Sequence, residues 1–159
     1  MKVGFTGTQD DLSVAQFDLL TDVISELSEM KEAHHGCCVG ADQTFNTMVK
    51  FIWNDVITHG HFPDDNKKVA HLSVDVEHDP EPYLVRNHNI VDACDILIAC
   101  PKTLKEQLRS GTWATIRYAR KVGKPIAILW KDGKYTYDEN KSARQSGKTE
   151  KDEEETSQI

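Results

Sequence analysis

The sequence predicts an α/β protein of three layers, with a mostly parallel sheet between two layers of helices. Short apolar runs alternate along the chain with helical patterns of apolar residues, and glycine, proline or small polar residues mark the changes. The runs at 95–100 (DILIAC) and 125–129 (PIAIL) are almost wholly apolar, as expected of strands covered on both faces.

In order, KVGFTG (2–7) reads as a first strand ending in glycine. Ser13 opens a helix, and Gln16 three residues later completes a capping box. Val14, Phe17, Leu20, Ile24 and Leu27 follow at helical spacing and are expected to face the core. A second strand is expected near 34–39, then GAD and a helix presenting Phe45, Met48, Val49 and Ile52 on one face. Residues 56–62 read as a third strand, and the polar stretch 63–80, with a proline at each end, as loop. A helix over 83–93 precedes the strand at 95–100. RSGTWATIRYARKVGKPIAIL (109–129) then supplies the last helix and last core strand.

With 159 residues the chain suits one domain, placed at 1–137. Residues 138–159 hold seven acids, four bases and no large apolar residue before Ile159, the composition of a solvated, disordered tail. The net charge of −7 argues against a general polyanion binder, since nonspecific DNA affinity comes from Lys and Arg neutralising phosphates. No apolar run is long enough to span a bilayer, and the N-terminus runs straight into a strand pattern rather than a signal peptide. Cys37, Cys38, Cys94 and Cys100 fit no zinc spacing and read as reduced thiols of a cytoplasmic protein. Despite His34-His35 and His59-Gly60-His61, no set of metal ligands is visible in the spacing, so no metal and no cofactor is expected.

Ligands of such sheets bind beyond the carboxyl ends of the strands, where the strand order reverses. Three loops there share one composition: Gly4-Phe5-Thr6-Gly7-Thr8, Gly40-Ala41-Asp42 and Ser110-Gly111-Thr112. Small residues let a ligand reach the backbone, and N–H groups at a helix start attract negative charge. Arg86 and Asn87, at the start of the 83–93 helix, add a fork of donors suited to phosphate or carboxylate. Asp42 reads either as a ligand for a ribose hydroxyl or as a helix N-cap. Trp113 reads either as core or as a stacking platform for a base.

GFTGT, the GAD turn, RNHNIVDACDILIAC and RSGTWATIRYARKVGKPIAIL resemble, in that order, blocks of the SLOG superfamily, nearest its DNA-processing protein A (Smf) branch. The match covers most of residues 2–130. The resemblance implies a Rossmann-like fold and a site made of Gly4, Thr6, Gly7, Thr8, Gly40, Asp42, Arg86, Asn87, Ser110, Gly111, Thr112 and Thr115. The LOG-type hydrolases of that superfamily carry a glutamate after their Gly-Thr; here Trp113, Ala114 and Thr115 follow Gly111-Thr112, which weighs against that activity.

The expectation is therefore a cytoplasmic protein that binds a small phosphorylated, nucleotide-like ligand or second messenger, with self-association left open and no membrane partner. Two alternatives stand beside it. One is an enzyme acting at the N-glycosidic bond of a nucleoside monophosphate, for which Asp42 and Asp92 are the candidate carboxylates. The other is a single-stranded DNA binder, which the charge disfavours.

Overall fold

The computed structural model describes residues 1–139. Its elements are β1 (Lys2–Gly7), α1 (Val14–Glu26), β2 (Glu32–His35), α2 (Ala41–Ile52), β3 (Ile57–Pro63), β4 (Val76–Glu81), α3 (Tyr83–Ala93), β5 (Ile96–Cys100), α4 (Gly111–Lys121), β6 (Ile126–Leu129) and β7 (Tyr135–Asp138). The sheet order is β4-β3-β2-β1-β5-β6-β7. All neighbours are parallel except β6 and β7. The chain builds outward from β1 to β4, and α3 then carries it across to β5 on the other side of β1. That reversal opens a crevice at the carboxyl ends of β1 and β5.

Two apolar clusters fill the layers. Leu20 and Ile24 of α1 and Phe45, Met48 and Val49 of α2 pack on Val3, Phe5, Ala33, Ile98, Cys100, Ala127 and Leu129. The Phe5 and Phe45 rings stack with centroids 4.4 Å apart. On the opposite face Ile90, Val91, Trp113, Ile116 and Ala119 of α3 and α4 cover Leu97, Ala99, Ile126 and Ile128. Each fully buried large side chain stabilises the fold by about 1.5–3 kcal/mol relative to exposure. Trp113 is thus core, not a stacking platform, and its Nε1 donates to Thr103 Oγ1 at 3.3 Å.

The capping box is present as read: Ser13 Oγ accepts from Gln16 N, and Gln16 Oε1 accepts from Ser13 N. The buried stripe of α1, however, is Gln16, Leu20 and Ile24, so Val14 (78% exposed) and Phe17 (46%) do not face the core. Gln16 takes the inner position because its Nε2 donates to Pro101 O (2.9 Å) and Leu129 O (3.0 Å), tying α1 to the ends of β5 and β6. Polar burial paid in hydrogen bonds escapes an apolar periodicity count.

Three other expectations are corrected. The second strand stops at His35, where Cys37 turns the chain with φ of 55°. The stretch 63–80 contains most of β4, which pairs with β3 at the sheet edge; an edge strand tolerates the proline and acids that made it read as loop. Asp138, the first residue of the expected tail, belongs to β7, and Arg120 Nε lies 3.3 Å from its carboxylate. The rest of that tail, from 140 onward, lies outside the described residues. No helix among the described residues is long and apolar enough to cross a membrane.

Candidate functional site

A cleft of about 570 Å³ opens at the carboxyl ends of β1 and β5. Thr6, Gly7, Thr8, Gln9 and Asp10 form one wall, Ser110, Gly111 and Thr112 a second, and Tyr83, Leu84, Arg86 and Asn87 a third. Lys68, Lys102 and Arg109 also line it.

The second wall begins a helix. Ser110 is the N-cap of α4, and its Oγ accepts from Trp113 N at 3.2 Å. This fixes the first turn and uses the hydroxyl as an acceptor. The N–H groups of Gly111 and Thr112 find no partner among the described residues, as expected of the first turn of a helix. A Cβ built on Gly111 would meet nothing within 4 Å, so the space over these donors is open.

The first wall is pinned from behind. Thr8 N donates to Cys100 O (3.0 Å), and Thr8 O accepts from Ala41 N (3.0 Å), joining β1 to β5 and α2. Thr8 Oγ1 accepts from Asp10 N at 3.1 Å. Gly7 is glycine for packing reasons, because a Cβ there would sit 2.6 Å from that of Ala41. Among the described residues Asp10 carries the one carboxylate on the cleft lining; Lys102 Nζ, 2.6 Å away, holds its pKa below the usual range.

Arg86 is buried, yet its donors are mostly spent on the protein. Nε donates to Asn87 Oδ1 (2.8 Å), and Nη1 donates to Gly36 O (2.6 Å) and His61 O (3.3 Å), bracing the ends of β2 and β3. Nη2 has only a weak contact with Cys38 Sγ at 3.8 Å. No carboxylate of the described residues lies within ion-pair distance of this guanidinium. It sits 5.4 Å from the centre of the Tyr83 ring, which is half-buried at the cleft wall.

Eight of the twelve positions read from sequence line the cleft: Thr6, Gly7, Thr8, Arg86, Asn87, Ser110, Gly111 and Thr112. Four do not. A Cβ on Gly4 would come 2.7 Å from Cys94 Sγ, under α3. Gly40, with φ of 91°, is the N-cap of α2 and packs against the Gln9 backbone. Asp42 is therefore not the N-cap. It is buried behind the cleft, where its carboxylate accepts from Cys38 N at 3.1 Å. Burial pushes its pKa up, against the pull of His35, the Cys38 N–H and Arg86. Thr115 is buried and donates to Gly111 O at 2.9 Å.

Asp92, the other candidate carboxylate, lies away from the cleft and accepts from the Tyr118 hydroxyl at 2.7 Å. The sequence reading missed Lys68 and Tyr83. Lys68 sits in a short 3-10 turn inside the stretch read as loop.

No protein-family model and no curated protein matches the chain. Solved structures do. The molybdenum cofactor binding protein of the phototrophic bacterium Rippkaea orientalis is 22% identical, with a TM-score of 0.61 over 82% of this chain and 77% of that one. DNA processing protein A from Streptococcus pneumoniae is 20% identical, with a TM-score of 0.56 over 80% of this chain and 49% of that one. DNA processing protein A from Helicobacter pylori, solved for its single-stranded DNA binding mode, is 18% identical, with a TM-score of 0.55 over 81% and 65%. At these identities the likeness is one of fold alone, and the chain has a three-layer, Rossmann-like α/β fold.

Proposed function

We propose that the protein binds a small phosphorylated, nucleotide-like ligand in the cleft, with the phosphate against the N-terminus of α4. The open space above the Gly111 and Thr112 N–H groups, which have no partner among the described residues, carries this reading. Backbone donors and the helix dipole supply partial charge. Lys68 and Arg109 supply the full charge, since Lys102 is already paired with Asp10. Tyr83 offers a flat face for a heterocycle. A volume of about 570 Å³ suits one small molecule.

The names of the fold neighbours differ in ligand, molybdenum cofactor in one and single-stranded DNA in another, so fold does not choose between them. The charge of −7 and the cleft volume of about 570 Å³ favour a small molecule. Binding is favoured over glycosidic cleavage because Asp42 and Asp92 lie off the cleft and Asp10 is held by Lys102.

Small molecules released by denaturing the purified protein are identified by mass spectrometry, and nucleoside monophosphates and their nucleosides are titrated by calorimetry. The monophosphate is expected to bind at least tenfold more tightly than its nucleoside, and Gly111→Val to abolish the difference in a folded protein. Equal affinity for the two, or an unaffected Gly111→Val, overturns the reading. Release of free base would favour the enzyme instead.

A further inference from the structure

Four of the seven histidines lie on the α3 face of the sheet wing formed by β2, β3 and β4, outside the cleft. The parallel register sets His34 opposite His59, and His61 opposite His78. The rings stack in pairs, His34 on His59 and His61 on His78, each with centroids 4.1 Å apart. Strand positions of this kind ordinarily hold β-branched or aromatic apolar residues, and no residue of β2, β3 or β4 joins the apolar cluster under α3 and α4.

Glu32 organises the group. Its Oε1 lies 3.1 Å from His34 Nε2 and 3.0 Å from His59 Nε2, while Lys2 approaches Oε2 at 3.8 Å. A carboxylate only accepts, so both Nε2 atoms carry the proton, and the Nδ1 lone pairs of His34 and His59 point away from Glu32. They meet His61 Nε2 and His78 Nε2 respectively, each at 2.9 Å. An imidazole whose N–H is held by a carboxylate and whose other nitrogen carries a lone pair is the usual form of a metal-ligating histidine.

We propose that this wing binds one divalent transition-metal ion of the zinc or nickel class, through His34 Nδ1, His61 and His78, with Glu32 orienting His34. The ligand atoms of these three histidines lie within 4.8 Å of one another. Bonds of about 2.0–2.1 Å in a tetrahedral site set ligand nitrogens roughly 3.3 Å apart. The His34–His61 pair has to open by only a few tenths of an ångström, and the outermost separations have to close. Imidazole donors select zinc, nickel, copper or cobalt over magnesium or calcium. His34 and His61 are buried, and His78, on the edge strand, gives the ion its way in.

The test uses the full chain, stripped with a chelator and dialysed, then titrated with zinc chloride alone by calorimetry; cobalt(II) is added separately for its visible spectrum. The expected result is one zinc per chain and an intense tetrahedral cobalt band. His78→Gln should weaken zinc binding more than a hundredfold, and Glu32→Gln about 10–100-fold, as for other residues that orient a metal ligand. His71→Gln, at an exposed position off the cluster, should change nothing. His78 is at the edge, so its variant keeps the test valid even where a His61 variant does not fold, and circular dichroism checks this. No saturable zinc binding, or binding that His78→Gln leaves intact or that His71→Gln also removes, overturns the proposal.

Discussion

The cleft and the imidazole wing are both polar, and both lie beside α3, but they dispose of their donors in opposite ways. At the cleft, the N–H groups of Gly111 and Thr112 have no partner among the described residues, and cations sit on long side chains around open space. On the wing, both ring nitrogens of His34 and His59 and the Nε2 atoms of His61 and His78 meet another ring or Glu32, and the rings stack against one another. The contrast shows that polarity does not by itself identify a ligand site. What separates the two is whether hydrogen-bonding capacity is spent within the protein: the cleft leaves backbone donors open, which the proposed phosphorylated ligand would fill, whereas the wing shares ring protons, which the proposed ion would replace. Arg86 stands between them, bracing one with Nη1 and lining the other.

Arg86→Ala is the sharpest way to break this division. It strips Gly36 O and His61 O of a charged donor in a buried place, and at about 1–3 kcal/mol for each such group the expected loss is roughly 3 kcal/mol or more in urea unfolding. Loss of phosphate selectivity with little loss of stability would instead put the guanidinium wholly in the cleft. Gly40→Ala comes next. A side chain at φ of 91° with its Cβ 2.4 Å from Gln9 O must move the first wall, for an expected loss of about 2 kcal/mol and a melting point several degrees lower.

The thiols behind both regions make a pH prediction. Burial pushes Cys37 up to about 12 and Cys94 up to about 11. Between about pH 9 and these values the unfolded chain gives up thiol protons that the folded chain keeps, so stability falls as pH rises above 9. The expected loss at pH 10 is about 1 kcal/mol per thiol, read from urea midpoints at pH 8 and 10. Cys→Ala at either position should flatten that slope.

Ser110→Ala removes the cap of α4 and is expected to cost about 1 kcal/mol. The smallest effect is that of Gly111→Val on stability, a few tenths of a kcal/mol, because nothing lies within 4 Å of the new Cβ. A large loss there would mean that the cleft floor is not the open space described.

β5 and β6 were legible because they are apolar throughout, and the helix over 83–93 because its pattern is amphipathic. β4 was not, since Glu77, Asp79, Pro80 and Glu81 at an edge read as loop. That one miss hid the wing as well: Glu32, His34, His59, His61 and His78 come together only once β4 is a strand and the order β4-β3-β2 is known. Glycine turns at the strand ends marked two walls of the cleft. Burial decided the rest, and Asp42 went behind the wall because Cys38 N–H receives its carboxylate there, a contact no spacing displays.

The edge that concealed itself in the sequence also limits how copies of this chain can associate. β4 leaves one row of backbone groups unpaired, as any edge strand does, and such a row is a template for sheet extension. Three carboxylates and a ring that lacks an N–H occupy its last five positions. A second copy adding there would bring like charges together and find a donor missing. Growth of the sheet through β4 into fibres is thereby discouraged, and assembly between copies is left to the helical faces or to β7.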